Sequence, residues 1–338
     1  MKENFKQKSL LQAKDTMAGL GLERYRGEQV FKWIWQKNAR DFSGMTDLSK
    51  ELRLSLDCRF LIAGLEIANV RQEAGGVKKY LLRLQDGQCV ESVFIREGQR
   101  RTICVSCQVG CPFGCKFCAT ALLGFKRNLL AYEIADQVRL IQEDIGEKCT
   151  NVVFMGMGEP LANLQEVIDA LGTMSSPLGL SVSWRHTTVS TVGLLEGMGM
   201  LLRSALRVKL AISLNFADED MRREFMPIAS SNPLAEVLRI ARIYSMDKEM
   251  VTFEYVMIKN INDRIKDAKN LVRLLKGIPS KINLIPYNEH PRLPYQRAAD
   301  KNIESFYEFL LDSHHTVVIR KSRGQKILAG CGQLSGAV

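Results

Sequence analysis

The stretch C-V-S-C-Q-V-G-C-P-F-G-C-K-F-C-A-T, residues 104–120, holds five of the nine cysteines in a chain of 338 residues. In a reducing cytosol such a cluster is typical of metal or redox chemistry rather than of a disulfide framework. A zinc site would pair Cys104 and Cys107 with Cys115 and Cys118. The seven residues between those pairs are fewer than a zinc ribbon normally has.

The same stretch also contains a C-x3-C-x2-C triplet, formed by Cys111, Cys115 and Cys118. Three thiolates on one short loop can bind three irons of a cubic 4Fe-4S cluster. The fourth iron would then be free to chelate a substrate or cofactor, which a closed four-thiolate site cannot do. Spacing alone leaves both arrangements open.

Outward from the cysteines, segments typical of strands alternate with segments typical of helices. Ile134, Val138, Ile141 and Ile145 recur at helical spacing after the first strand. The candidate strands are 102–106, 151–155, 186–190, 208–214, 252–258, 282–285 and 316–319. This alternation predicts an α/β fold with a parallel sheet closed into a full or partial barrel, whose chemistry gathers at the carboxyl ends of the strands.

Three regions are predicted along the chain. Residues 1–70 read as a small helical accessory domain, in which an apolar stripe of Val30, Phe31 and Ile34 is interleaved with basic residues. We expect its tryptophans to pack in the core and its basic face to bind RNA. Residues 71–100 contain turn signals and alternating apolar residues, which predict a β-hairpin linker. Residues 101–338 form the predicted barrel and a C-terminal cysteine loop.

Composition indicates an ordinary globular protein, with 46% hydrophobic and 25% charged residues. The sequence offers no apolar run long enough to span a membrane, and its first residues are too polar for a signal peptide. We therefore expect a cytoplasmic protein with no membrane partner. The net charge of +10 favours a polyanion such as RNA, although a basic protein without such a partner fits it too.

The C-x3-C-x2-C triplet after the first strand of a βα barrel resembles the radical S-adenosylmethionine (SAM) superfamily. The resemblance implies a 4Fe-4S cluster on Cys111, Cys115 and Cys118, with SAM as a second cofactor. Phe117 would stack on the adenine of SAM. Glu159, in G-M-G-E-P beside Gly158, would accept from its ammonium group. The other candidate SAM contacts at strand ends are Ser190, Ser213, Leu214, Asn215 and Asn288.

The C-terminus is the second informative region. Its last 26 residues contain no Asp or Glu. Arg320, Lys321, Arg323 and Lys326 precede Cys331, which lies between glycines. A cysteine after a cationic run can have a lowered pKa and be reactive. A free cysteine in a flexible tail is the alternative that composition favours.

Motifs along nearly the whole chain resemble the RlmN family of RNA adenine carbon-2 methyltransferases. In order they are V-S-C-Q-V-G-C-x3-C-x2-C, F-K-R-N-L, F-M-G-M-G-E-P-L-A-N, A-I-S-L, E-Y-V-M-I, K-I-N-L-I-P-Y-N, R-K-S-R-G and C-G-Q-L. The resemblance implies methylation of 23S ribosomal RNA and of tRNA. The Cfr family, which methylates carbon 8, is the near relative and the alternative; I-P-Y-N and R-K-S-R-G favour carbon 2.

The resemblance also implies a reaction sequence that uses two SAM molecules per turnover. Cys331 takes a methyl group from the first SAM. The second is cleaved reductively to a radical that removes hydrogen from this S-methyl group, and the resulting methylene radical adds to the adenine. Cys104 resolves the protein–RNA adduct through a transient disulfide with Cys331. Glu91 aligns with a proton acceptor, and a flavodoxin or ferredoxin would donate the electron.

Several expectations complete the prediction. We expect a monomer, with RNA phosphates neutralised by Lys126-Arg127, by Arg100-Arg101 and by the C-terminal basic run, so that binding weakens steeply with salt. The chain departs from the family at Cys107, where Ser is usual, and at Asn215, where His is usual. Q-K-I-L-A replaces an acid-rich stretch before Cys331. A zinc-stapled RNA-binding module and a radical SAM enzyme for a small molecule remain the alternatives from other functional classes.

Overall fold

A computed structural model describes residues 2–320 and 322–336 of the chain. The helices are α1 Leu10–Gly19, α2 Tyr25–Trp35, α3 Lys50–Arg59, α4 Ala131–Ile145, α5 Leu164–Ser175, α6 Leu195–Arg203, α7 Glu219–Phe225, α8 Leu234–Asp247, α9 Ile265–Leu275 and α10 Asp300–Leu311. The strands are β1 Glu3–Asn4, β2 Phe60–Leu61, β3 Glu66–Glu73, β4 Val77–Arg83, β5 Cys89–Glu97, β6 Arg100–Cys104, β7 Gln108–Gly110, β8 Phe125–Asn128, β9 Asn151–Phe154, β10 Thr187–Thr191, β11 Lys209–Ser213, β12 Val251–Met257, β13 Ser280–Pro286 and β14 Thr316–Ile319. Among these residues, no helix combines the length and the apolar character needed to cross a membrane.

The central feature of the described residues is a ten-stranded sheet whose order is β14-β13-β12-β11-β10-β9-β6-β5-β4-β3. Strands β6 and β9–β14 are parallel to one another. Parallel neighbours need crossover connections, and helices α4 to α10 provide them. The predicted α/β class and partial barrel are confirmed, and each of the seven candidate strands overlaps a parallel strand.

The segment predicted as a hairpin linker is larger than expected. Strands β3, β4 and β5 are antiparallel, and β5 pairs antiparallel with β6, so they extend the barrel sheet itself. Strand β3 begins at Glu66, before the predicted boundary at residue 71. Its side chains are nearly all exposed. They therefore lack the apolar alternation by which a strand is recognised in a sequence.

The N-terminal region is helical up to Arg59. Helix α1 starts with a capping box between Ser9 and Gln12, which satisfies backbone N–H groups at the helix start. The stripe of α2 is buried as predicted, at Val30, Phe31 and Ile34. Trp35 is also buried, in agreement with a core role. Trp33 is half-buried, and the Nζ atom of Lys37 lies 3.6 Å from its ring centre.

A buried ion-pair network joins the N-terminal region to the barrel. The Nζ atom of Lys6 lies 2.6 Å from an Asp136 carboxylate oxygen, and Arg139 reaches the same carboxylate. The other oxygen of Asp136 accepts from the Leu65 amide at 2.8 Å. Removing one partner of such a buried pair typically costs about 3–5 kcal/mol. The network therefore fixes this region against α4, the helix that follows the cysteine loop.

The C-terminal segment after β14 connects the two ends of the sheet. The Arg320 amide donates to the Leu284 carbonyl of β13 at 2.8 Å. Three residues later, Arg323 forms an ion pair with Glu97 of β5 at 2.9 Å. Gly324 has φ +75°, and a Cβ there would lie 3.0 Å from Val77 of β4. The segment that carries Cys331 thus closes the gap between the parallel and antiparallel ends.

Candidate active site

A cavity lies where the parallel strands end. Its walls are the cysteine loop, the loops after β9 to β13 and the C-terminal segment. The lining residues are Cys115, Phe117, Cys118, Phe154, Met155, Gly156, Gly158, Glu159, Pro160, Ser190, Thr191, Val192, Ser213, Asn215, Met226, Glu254, Val256, Ile285, Tyr287, Arg320, Cys331 and Gly332. This is the position that the barrel architecture predicts for the chemistry.

The cysteine loop is held in shape by its own backbone. The amide of Cys111 donates to the Gly124 carbonyl at 3.2 Å, and that of Cys118 donates to the Cys115 carbonyl at 3.1 Å. Gly110 has φ +76°, and a Cβ there would lie 1.7 Å from the Gly124 carbonyl oxygen. Only glycine fits this position, because any other side chain would force the two strands of the loop apart.

The three thiols of the loop lie close enough to influence one another. Burial raises the pKa of the Cys111 thiol to about 12, and the neighbouring Cys118 thiol acts in the same direction. Burial also raises the pKa of Cys115 and Cys118. Buried thiolates at such close quarters need a cationic centre to be stable. This donor set fits a positively charged metal cluster.

The zinc arrangement would need Cys104 and Cys107 to join Cys115 and Cys118 around one ion. The Cys107 thiol donates to the Met157 carbonyl at 3.6 Å, and Cys104 lies beside Cys331 and Arg320. In the part of the chain that the structure describes, no three Cys, His, Asp or Glu side chains converge tightly enough to hold a single metal ion. The thiols therefore fall into a triplet in the loop and a pair near the tail.

The G-M-G-E-P turn follows β9 as predicted. Gly158 has φ +96°, and a Cβ there would lie 2.5 Å from Gln108, so this close approach requires glycine. The Glu159 carboxylate accepts from the Leu161 amide at 3.1 Å and from the Val192 amide at 2.9 Å. Burial raises the pKa of Glu159 to about 7. A carboxyl so desolvated gains from any cationic group that enters the cavity.

Of the remaining SAM candidates, some line the cavity and others do not. Ser190, Ser213 and Asn215 line the cavity together with Phe117. Asn215 has φ +59°, a conformation that asparagine tolerates better than most residues. The side chain of Leu214 is buried in the hydrophobic core. Leu214 could therefore offer only its backbone to a ligand.

Asn288 contacts the C-terminal segment instead. Its Nδ2 donates to the Cys331 carbonyl at 3.1 Å, and its Oδ1 accepts from Gln325 at 2.9 Å. On the other side of Cys331, the Ala119 amide donates to the Gly332 carbonyl at 2.7 Å. These bonds place Cys331 at the cavity wall, against the cysteine loop. The predicted contact between Asn288 and SAM stays a prediction.

Cys104 and Cys331 come together although they lie 227 positions apart in the chain. Cys104 is buried at the end of β6, and burial with the neighbouring Cys331 thiol raises its pKa to about 12. The nearby Arg320 guanidinium opposes this rise. All nine cysteines fall within the described residues and all are free. The structure therefore does not support a standing disulfide.

Glu91 lies on β5, outside the lining of the cavity in the described structure. One carboxylate oxygen forms an ion pair with Lys79 at 2.8 Å. The other accepts from the Ser335 amide at 2.8 Å and from the Gly336 amide at 3.1 Å. Both oxygens of the predicted proton acceptor are thus engaged by the protein itself.

Sequence reasoning missed two charged residues in the cavity. Glu254 of β12 accepts from Asn283 at 2.9 Å through one oxygen, while its other oxygen has no hydrogen-bond partner among the described residues. Arg320 lines the cavity and donates to the Met155 sulfur at 3.6 Å, and its predicted contact with RNA phosphates stays a prediction. The neighbouring Cys331, Glu254 and Cys104 raise the pKa of Arg320. Its position after β14 is the signal that could have identified it.

The predicted phosphate-binding surface is smaller than its sequence suggests. Arg127 makes ion pairs with Asp86 and Glu133, both at 2.7 Å. Arg101 donates to the Lys148 carbonyl at 2.7 Å. Lys126 is exposed, whereas Lys321 lies outside the described residues. Cations already paired with carboxylates contribute less to RNA binding, because an internal partner competes with phosphate.

Comparisons with known proteins agree with this geometry. Residues 105–274 match the family model of the radical SAM superfamily, and residues 4–62 match that of the ribosomal RNA large subunit methyltransferase N-terminal domain. The chain is 45% identical to the dual-specificity RNA methyltransferase RlmN of Geotalea uraniireducens, covering 99% of this chain and 97% of the relative. It is 47% identical to that of Geobacter sulfurreducens, covering 95% and 88%.

A solved structure supports the same assignment. The radical SAM methyltransferase from Sphaerobacter thermophilus superposes with a TM-score of 0.94 at 36% identity, covering 99% of this chain and 100% of that one. The agreement extends over the N-terminal region and the C-terminal segment, well beyond the barrel alone.

Proposed function

Because this chain belongs to the RlmN family of radical SAM RNA methyltransferases, we propose that it methylates carbon 2 of adenosine in 23S ribosomal RNA and in tRNA. The observation that carries the proposal is the position of Cys331. Its segment is bound to the cysteine loop at the wall of the cavity, beside Cys104. A carrier thiol and a resolving thiol in one pocket are what the reaction requires.

The residues present fit the cofactors of the family. Cys111, Cys115 and Cys118 would hold the 4Fe-4S cluster, and Phe117, Glu159, Ser190, Ser213 and Asn215 would hold SAM. When bound, the cluster supplies the electron that cleaves SAM and so generates a radical able to remove hydrogen from a methyl group. A flavodoxin or ferredoxin would deliver that electron.

Carbon 2 of adenine is an electron-poor amidine carbon and does not attack the methyl group of SAM. Cys331 resolves this difficulty by acting as a carrier. Its thiolate sulfur takes the methyl group from a first SAM, whose carbon–sulfur bond breaks so that S-adenosylhomocysteine leaves. Cys331 would then hold this methyl group where the radical supplied by a second SAM can reach it. The carbon then becomes bonded to carbon 2 of the adenine while it is still bonded to the sulfur of Cys331. The hydrogen of carbon 2 would leave as a proton, with the assistance of Cys104, and the remaining unpaired electron would pass to the cluster.

Cys104 completes the turnover. Its sulfur attacks that of Cys331, so that a disulfide forms and the sulfur–carbon bond breaks, with the electron pair leaving toward the modified base, which takes up a proton. Arg320 lines the cavity with Cys331, and its guanidinium acts to lower the pKa of the Cys104 thiol.

The RNA must present an unstacked adenosine to the cavity. The helical region 1–70 supports this role through exposed cations, among them Lys32 and Lys37. Lys37 lies over the ring of Trp33, a combination that suits both phosphate and base. We propose that this region binds the RNA, that the barrel from residue 101 performs the chemistry, and that the enzyme acts as a cytoplasmic monomer.

The function is tested by identifying the product. Cluster-loaded enzyme, SAM, a reductant and 23S RNA fragments or tRNA are incubated, and the digested nucleosides are separated against 2-methyladenosine and 8-methyladenosine standards. We expect 2-methyladenosine and a methylated Cys331 peptide. 8-Methyladenosine would indicate a Cfr-type enzyme instead. A zinc-stapled module would give neither product, and a small-molecule enzyme would cleave SAM at a rate indifferent to RNA.

Replacing Glu159 by glutamine is expected to weaken SAM binding by about tenfold or more, because a charge-assisted hydrogen bond contributes about 1.5–3 kcal/mol. Glutamine keeps the shape and one amide acceptor but not the charge. Equilibrium binding of SAM to cluster-loaded protein measures the effect. Glu166→Gln, which changes a carboxylate that accepts from the Ala131 amide outside the cavity, is the matched control. Equal SAM affinity in both variants would remove Glu159 from the ammonium site.

A further inference from the structure

We propose that Glu91 is a positioning residue, whose carboxylate is held by Lys79 and clamps the end of the chain so that Cys331 stays in the cavity. The inference rests on the proposed function, because it concerns the carrier thiol. Lys79 lies 2.8 Å from one carboxylate oxygen, and the other accepts from the consecutive amides of Ser335 and Gly336. Glu91 is 1% exposed and Lys79 is 6% exposed, so both side chains of the ion pair are buried.

The clamp is built on a rigid base. The Glu91 carbonyl accepts from the Ser106 hydroxyl at 2.6 Å, and the Glu91 amide approaches the Met157 sulfur at 3.3 Å. Ser106 also accepts from the Met157 amide at 2.8 Å. Glu91 is therefore tied to the loop after β6, which carries the cysteines, and to the loop after β9, which carries Glu159. A residue so fixed can define the position of whatever binds to it.

The clamped segment depends on such bonds for its position. Residues 328–336 are turn and loop, so helix or strand ladders do not hold them. The Thr120 hydroxyl donates to the Leu334 carbonyl at 2.7 Å, and Gln333 donates to the Glu289 carbonyl at 2.6 Å. Only Glu91 supplies charge-assisted bonds among these three anchors, and such bonds are roughly twice as strong as neutral ones. Its grip begins four residues after Cys331.

The clamp gives the buried pair a function that stability does not require. A buried ion pair often contributes no more than an apolar pair of the same size. In the Glu91–Lys79 pair, the second carboxylate oxygen of Glu91 remains available to accept from the backbone amides of Ser335 and Gly336. Gly336 reaches it with φ +60°, a conformation that glycine adopts without strain. The geometry assigns Glu91 to holding the carrier segment rather than to taking a proton from the base.

The test compares Glu91→Gln with Glu97→Gln in enzyme that is produced without its cluster and then loaded with it in the absence of SAM and RNA, so that Cys331 keeps a free thiol. Both residues lie on β5 and both bind the C-terminal segment, but the Glu97–Arg323 pair is exposed. Trypsin cleavage after Lys326 releases residues 327–338, in which Cys331 is the single cysteine. We follow alkylation of Cys331 by iodoacetamide on this peptide, together with hydrogen exchange of the segment. Glu91→Gln should accelerate both by about tenfold or more, and Glu97→Gln should leave them unchanged.

A second variant approaches the clamp from the other side. Ser335→Pro removes one of the two gripped amides and leaves the Glu91–Lys79 pair in place. Ser335→Pro should also accelerate alkylation of Cys331. Slow hydrogen exchange of the α4 amides shows that a variant is folded. If Glu91→Gln fails this check, Ser335→Pro still tests the clamp. In both variants kcat for RNA methylation should fall while SAM affinity stays unchanged.

Two results would overturn the clamp. One is alkylation and exchange of the segment at the wild-type rate in both Glu91→Gln and Ser335→Pro. The other is a Glu91→Gln enzyme that keeps this protection and yet stalls as a protein–RNA adduct, which would identify Glu91 as the proton acceptor. Alkylation and exchange need no RNA. A failure of the wild-type enzyme to methylate RNA would therefore reject the proposed function separately, while the clamp is judged on these rates.

Discussion

Replacing Cys331 by alanine is expected to lower RNA methylation by at least about 10³-fold, as removal of a nucleophile typically does. We expect no other thiol among the described residues to replace it, because backbone hydrogen bonds at Cys331 and Gly332 hold this sulfur at the cavity wall. Asn288 binds its carbonyl, and Ala119 binds the carbonyl of Gly332. Alanine keeps those bonds and loses only the sulfur. The variant should therefore bind its cluster and SAM normally.

The measurement is the mass of the 327–338 peptide together with 2-methyladenosine formed per enzyme. Wild-type peptide should carry one methyl group after exposure to SAM, and the variant peptide should carry none. Cys58→Ala, which removes an exposed thiol on α3, is the matched control and should keep full activity. Methylated RNA from Cys331→Ala at more than a few per cent of the wild-type rate would show that the methyl group travels by another route.

Replacing Cys104 by alanine is expected to stop the reaction one step later. The RNA should stay covalently bound to Cys331, since the thiol that attacks its sulfur is gone, and released product should fall by at least about 10³-fold. The location of Cys104 supports this role. It is buried at the end of β6, where burial and the Cys331 thiol raise its pKa to about 12 and the Arg320 guanidinium opposes that rise.

The adduct is detected as a nuclease-sensitive band on a denaturing gel, and by a nucleotide on the 327–338 peptide. Cys107→Ser is the matched control. It changes a buried thiol of the same loop, and its hydroxyl can still donate to the Met157 carbonyl. Adduct should be absent from the control. Free methylated RNA from Cys104→Ala would assign the resolving step to another residue.

The sequence predicted the fold where burial is periodic. The parallel strands are buried on one or both faces, and their apolar runs are visible beside the helical spacing of residues such as Ile134 and Val138. Strand β3 was missed because its exposed side chains resemble those of a loop. Its position is determined by backbone pairing with β4, which leaves little trace in side-chain composition.

For the site, residues within one motif were predictable and residues joined by tertiary contacts were not. The cysteine triplet and Glu159 are recognised by local spacing. The neighbourhood of Arg320, Glu254 and Cys331 is formed by segments far apart in the chain. Charge counting grouped Arg320 only with the other cations of the C-terminal basic run. Glu91 is similar: its partners Ser335 and Gly336 lie 244 and 245 positions away, beyond any local pattern.

The C-terminal segment bridges the two ends of the sheet, and this position affects how well the enzyme is protected from its own radical. A radical that escapes its target damages the enzyme that made it. Here the segment that bridges the two ends of the sheet also carries Cys331, the proposed methyl acceptor, so a molecule whose segment is displaced has no acceptor in the cavity. Covering the cavity and placing Cys331 both depend on this one segment, so its displacement would remove both at once.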